Sequence, residues 1–173
     1  MFYITGDTHG NYDIHKLSTP SLKENNISLT SDDYLIICGD FGLVWNNCPD
    51  ENYWLDWLNK KPCTTLFIDG NHENHNLLNQ MQPILWSGGF VHQIRPKVLH
   101  LMRGQVFNID GTTFFTMGGA DSIDKQYRVP YKSWWPEEMP SDEEYATAIK
   151  NLEKSNFSVD YILTHTADRQ STR

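Results

Sequence analysis

Tyr34-Leu35-Ile36-Ile37-Cys38-Gly39-Asp40 is a short apolar run that stops on a glycine and an acid. The same form occurs at Phe2-Tyr3-Ile4-Thr5-Gly6-Asp7 and at Thr64-Thr65-Leu66-Phe67-Ile68-Asp69-Gly70-Asn71. Brief β-rich runs bounded by turn residues read as strands. Between them lie helical candidates. Asp13 to Leu22 carries Ile14 and Leu17 on one face, with Pro20 ending or interrupting it. Asn52 to Lys60 sets Tyr53, Trp54, Trp57 and Leu58 on one face. Strand, loop, helix, strand is the pattern of an α/β sheet with crossover helices.

From Gly88 onward the pattern changes to Phe90 to Ile94, Val98 to Met102, Gln105 to Ile109 and Thr112 to Met117, with turns at Arg103-Gly104 and Asp110-Gly111. This reads as an antiparallel meander. After Gly118-Gly119-Ala120-Asp121, an aromatic, Pro-rich and charged stretch to Pro140 lacks the period of a regular element. Ser141 with Glu144 three residues on forms a capping-box signal for a helix to about Lys154. Val159-Asp160-Tyr161-Ile162 is strand-like and leads to Leu163-Thr164-His165-Thr166. No internal repeat or linker divides the chain, so residues 1–173 are expected to form one domain.

With 173 residues, 39% of them hydrophobic, the chain can bury a sizeable core. A formal net charge of -8 gives no global field toward nucleic acid or anionic lipid, so any phosphate must be recognised locally. Bound divalent cations would reverse the sign of a carboxylate-rich pocket. Nucleotides and nucleic acid are compatible partners that net charge does not indicate, and no membrane association is expected. Cys38, Cys48 and Cys63 are an odd number without the spacing of a zinc knuckle or redox pair, which reads as a reduced, cytoplasmic protein. No signal-peptide pattern is expected at the N-terminus, and no run is long enough to span a bilayer.

The strand-end phrases carry the chemistry. Asp7 and His9 follow the first strand, where a tight turn can aim a carboxylate and an imidazole at one point, a half-site for Mn, Fe, Zn or Ni. Asp40 ends the next run and is placed to share its oxygens between two ions, while Asn71 adds a neutral carbonyl. Carboxyl ends of neighbouring strands are where open α/β sheets bind their ligands. Gly6, Gly39 and Gly70 are expected to let the backbone approach an ion closely. His165, after a fourth run, is a further ligand candidate, whereas His15, His75, His92 and His100 have no motif context and read as surface or packing.

The order Asp-x-His, Gly-Asp, Gly-Asn-His-Glu, then a lone His after a strand resembles the calcineurin-like metallophosphoesterase superfamily, from Asp7 to His165. The resemblance implies a four-layer α-β-β-α sandwich of two mixed sheets with flanking helices. It also implies two divalent metal ions, with Mn favoured among Mn, Fe, Zn and Ni. By resemblance, Asp7 and His9 would hold the first ion, Asp40 would bridge both, and Asn71 and His165 would hold the second. The implied reaction is hydrolysis of phosphate mono- or diesters by a hydroxide bridging the metals, with His72 beside the phosphate assisting the leaving group and Glu73 available to orient it. The segment from Gly118 to Arg128, with Trp134 and Trp135, is similar to a stretch of a bacterial branch of the superfamily. There Lys125 and Arg128 could contact substrate phosphate, and the tryptophans could wall the pocket, stack on a base or simply form an aromatic loop covering the sheet edge.

The superfamily also carries a Gly-His-x-His phrase on a later strand, and this sequence has none. The chain is therefore expected to be a C-terminally shortened form of a longer enzyme, its domain incomplete there and the last strands of the second sheet missing. The competing expectation is a catalytically impaired metal-binding remnant or interaction module of the same fold. Either way, the edge at Tyr161 to Thr164 is expected to invite pairing with another chain.

Overall fold

The computed structural model describes residues 1–166. Its elements, in chain order, are β1 (Phe2–Thr5), α1 (Thr19–Glu24), β2 (Tyr34–Cys38), α2 (Pro49–Asn59), β3 (Thr64–Ile68), α3 (His75–Asn79), β4 (Ile84–Trp86), β5 (Gly89–Arg95), β6 (Val98–Leu101), β7 (Gln105–Ile109), β8 (Thr112–Met117), α4 (Asp142–Lys154) and β9 (Tyr161–Thr164). Short 3-10 turns cover Ile14–Leu17, Lys125–Tyr127 and Pro136–Glu138.

Two mixed sheets result. The larger has the order β1-β2-β3-β6-β5-β4, parallel from β1 through β6 and antiparallel between β6, β5 and β4. The smaller has the order β7-β8-β9, antiparallel then parallel. The expected meander is thus divided. β5 pairs with β6 and β7 with β8, but the chain leaves the larger sheet after Leu101 and enters the smaller one at Gln105. A turn at Arg103-Gly104 serves a change of sheet as well as a hairpin, which is why its sequence did not separate the two.

Strand alternation explains the layering. In β2, Leu35 and Ile37 point to the helix side, where they meet Ile14, Leu17, Leu55, Leu58 and Leu78. Ile36 points the other way, with Leu66, Ile68, Leu99 and Leu101 of the larger sheet against Phe107, Ile109, Phe114 and Leu163 of the smaller. Both faces of β2 and β3 are therefore buried, as parallel strands require. On the outer face of the smaller sheet, α4 packs near β7 and buries only Ala148 fully. Its capping box is present as the sequence predicts.

Local differences have local causes. Pro20 lies in the first turn of α1, where its missing N–H is no loss, so the expected helix from Asp13 becomes a 3-10 turn followed by a separate helix. Pro49 likewise opens α2 three residues before the sequence estimate. α3 and β4 are too short to show a period and were not foreseen.

On the helix side of the larger sheet, His92 of β5 and His100 of β6 are paired across the strands, with their Nδ1 atoms 3.0 Å apart. Burial lowers His92 to a pKa of about 4, so it stays neutral in the folded protein well below the pH at which a free histidine charges. In the window from about 6.5 down to about 4 the unfolded chain binds the extra proton, and folding stability falls as pH falls through it. His92→Gln should flatten the pH dependence of the unfolding free energy in that window by on the order of 3 kcal/mol, read by urea denaturation of both proteins.

Candidate metal centre

The expected ligands gather where the parallel strands end. Asp7 and His9 follow β1, Asp40 follows β2, Asn71 and His72 follow β3, and His165 follows β9 of the second sheet. The loops are tied by backbone bonds: the Asp40 carbonyl accepts from Thr8 N at 3.1 Å and His9 N at 2.8 Å, and the Phe41 carbonyl accepts from Gly10 N at 2.9 Å. To make these contacts His9 and Asp40 take left-handed backbone angles, φ 45° and 44°, costly for side-chain-bearing residues and typical of functional loops. A Cβ on Gly39 would overlap the His165 ring, and one on Gly70 would overlap the Asp40 carboxylate. Gly6 has open space around it, so its expected role in close approach is not required by packing.

Two sets of three ligand atoms lie within 4.8 Å of one another: Asp7, Asp40 and His165, and His9, Asp40 and His72. Asp40 belongs to both and is only 3% exposed. The sets differ from the expected division into Asp7, His9, Asp40 and Asp40, Asn71, His165, because His165 Nε2 stands 3.4 Å from Asp40 and its Nδ1 3.5 Å from Asp7, while His72 Nδ1 donates to Asp40 Oδ2 at 2.7 Å. His9 stands 3.7 Å from both Asp7 and Asp40.

Several features fit this cluster to cations. His165 Nδ1 donates to the Cys38 carbonyl at 2.9 Å, which leaves the lone pair on Nε2, facing Asp40; a second hydrogen bond of this kind is how metal-binding imidazoles are usually oriented. Asn71 Nδ2 donates to Ser122 Oγ at 3.1 Å, so its amide is held with the carbonyl oxygen available. Burial alone would raise the Asp40 carboxyl, but hydrogen bonds from His72 and the nearby His165 outweigh it and keep the group below its ordinary value. A buried carboxylate ionised among three imidazoles is suited to a divalent ion.

Arg128 enters the cluster, with Nη2 donating to His72 Nε2 at 3.0 Å while Nε pairs with Asp124 at 2.8 Å. A guanidinium can only donate, so His72 carries its proton on Nδ1, toward Asp40. Lys125 instead pairs with Asp121 at 2.8 Å on the exposed side of the same loop. Trp135 is wholly buried and packs edge-on against Trp45 at 5.1 Å, a packing position rather than a surface for a base.

Glu73 does not orient His72. It is fully buried, accepting from Gly42 N at 3.1 Å and Gly70 N at 2.6 Å, and so clips the second and third ligand loops together. Burial pushes its carboxyl up to about 8. Ser122 and Asp69 also escaped the sequence reading. Burial would push Asp69 up, but Arg103 with His100 holds it well below the usual carboxylate range. The one sequence signal for Asp69 was an acid directly after an apolar strand; nothing marked Arg103 as its partner.

Two mixed sheets and flanking helices thus carry, at their strand ends, a carboxylate-imidazole cluster suited to divalent cations. The calcineurin-like phosphoesterase family profile matches residues 1–169, and the chain belongs to that family. Its members are hydrolases of phosphoester bonds that depend on a dinuclear metal site. Neither a curated protein nor a solved structure matches the chain.

Removing the Glu73 clip strands two backbone N–H groups in the interior. Glu73→Ala should lower the unfolding free energy of metal-free protein by on the order of 3 kcal/mol in urea denaturation, far more than a surface Glu→Ala change.

Proposed function

We propose that this chain hydrolyses phosphate mono- or diesters at the cluster of Asp7, His9, Asp40, Asn71 and His165. The observation that carries the reading is Asp40, buried and common to both ligand sets, as a residue shared by two ions must be. Asp7, His9, Asn71 and His165 would divide between two ions, with Asp40 held in common. Two divalent ions of the Mn, Fe, Zn or Ni group would supply Lewis acidity and a water acidified toward neutrality.

The remaining roles belong to side chains. His72 Nε2 and Arg128 Nη2 meet at 3.0 Å, and an ester oxygen arriving between them would find a fixed cation on one side and an imidazole on the other. Arg128 holds the phosphate by transferring its hydrogen bond from the imidazole to a phosphate oxygen. Freed from Arg128, His72 Nε2 would take a proton from solvent and pass it to the departing alkoxide, while Nδ1–H stays on Asp40. Exposed Tyr127, Ile123 and Tyr131 on the same irregular segment are placed to meet the rest of the substrate.

The decisive assay compares wild type with Asp40→Asn on bis-p-nitrophenyl phosphate in the presence of Mn, with metal content measured on both. Wild type should bind metal and turn over, and Asp40→Asn should lose both. A wild type that binds no metal and is no faster than the variant would falsify the enzymatic reading. His72→Gln should lower kcat about 100-fold to 10,000-fold with metal content retained, the usual scale of a general acid. Arg128→Ala should reduce kcat/KM about tenfold to hundredfold, again without loss of metal, as expected for one charge-assisted hydrogen bond.

A further inference from the structure

A second polar cavity lies on the helix side of the larger sheet, with a volume of about 250 Å³. Its walls come from β3, α3, β5, β6 and the segment before α4, and its polar lining includes Asp69, His75, His92, Arg103, Glu137 and Glu144. None of these was assigned a role above in binding metal or phosphate. At about 30 Å³ for each water, the space holds the equivalent of roughly eight waters, or one organic molecule of similar size.

Two buried polar atoms of the lining have no partner among the described residues. His75 is 4% exposed and its Nε2 has no hydrogen-bond partner among the described residues. With the ring proton on Nδ1, this nitrogen is an acceptor for any N–H donor that reaches it. Glu137 Oε2 is likewise buried without a partner. His92 and His100 meet through Nδ1 at 3.0 Å, and His100 Nε2 is paired with Asp69 at 3.1 Å.

Arg103, the one cation in the lining, is consumed. Its Nε and Nη2 donate to Asp69, Nη2 also to the Glu138 carbonyl at 3.1 Å, and Nη1 faces Glu144 at 3.4 Å. Three lining carboxylates, Asp69, Glu137 and Glu144, stand against this single positive charge. An anion would face this excess of carboxylate. A single metal ion would find its ligands too far apart, because no set of three in this cavity falls within 4.8 Å, whereas the sets at the strand ends do.

We propose that this cavity is a second binding site, for a small organic cation that presents an ammonium or guanidinium group to His75 Nε2 and Glu137. The N–H donors of such a group would satisfy the two orphaned acceptors and offset the excess negative charge. Because Asp69 lines the cavity and Asn71 follows it by two residues, an occupant rests against the strand end that also carries the metal cluster. The proposal does not depend on the phosphoesterase activity.

The test is ring-nitrogen NMR on the full chain labelled with 15N-histidine, assigned by His75→Leu and His92→Gln and titrated separately with agmatine, butylammonium, butyrate and Zn. Saturable shifts of the His75 and His92 rings with agmatine or butylammonium, absent with butyrate, are the expected result. Glu137→Gln should then weaken the cation at least about tenfold while the histidine spectrum of the free protein keeps its folded dispersion. The proposal is overturned if neither cation moves the His75 ring at millimolar concentration. It is equally overturned if butyrate moves it as much, if only Zn does, or if Glu137→Gln binds the cation as tightly as wild type.

Discussion

Asp40 is the residue on which the strand-end cluster depends. Its backbone oxygen gathers Thr8 and His9, its carboxylate takes both the backbone N–H and the ring N–H of His72, and His165 closes on it from the other sheet. These contacts demand a left-handed backbone with a buried charge in the same residue. Neither is favourable alone. The neighbouring glycines make the arrangement accessible, since Gly39 leaves room for His165 and Gly70 leaves room for the carboxylate itself.

Much of this was legible from residue order. β2 and β3 coincide with their apolar runs because a strand buried on both faces leaves an uninterrupted apolar signature, while β7 and β8 are bounded by the Arg103-Gly104 and Asp110-Gly111 turns. The residues of the cluster were legible because they closely follow strand-like runs. What the sequence could not carry was partnership between sheets. Arg103-Gly104 looks like any hairpin turn, yet there the chain changes sheet, and Arg103 goes inward to Asp69. His75, His92 and His100 read as ordinary packing histidines because their shared surroundings arise from three elements that come together only in the fold. Glu73 sits beside His72 in sequence, and that adjacency suggested an orienting contact. Its carboxyl turns to backbone N–H groups of the two loops instead.

Two buried carboxylates four residues apart, Asp69 and Glu73, behave in opposite ways for reasons visible in their partners. Asp69 has a guanidinium and an imidazole against it and stays ionised. Glu73 has only backbone donors and other carboxylates nearby, and burial favours its neutral form. The third strand end is thereby held between a charged anchor on one side and a neutral clip on the other, which keeps Asn71 and His72 in place without adding another negative charge to the cluster.

The irregular segment that delivers Arg128 is fastened at both ends by one residue. Glu138, 1% exposed, offers its carbonyl to Ala120 N at 3.2 Å and its carboxylate to Ser122 N at 3.1 Å, while Trp135 is sealed in the interior beside it. The stretch between these points, with exposed Ile123, Tyr127, Val129 and Tyr131, reaches His72 through Arg128. It is in effect an interchangeable cassette: residues 123–134 could be lengthened, shortened or redrawn to suit a different ester while the clasp, the strands and the cation ligands stay as they are.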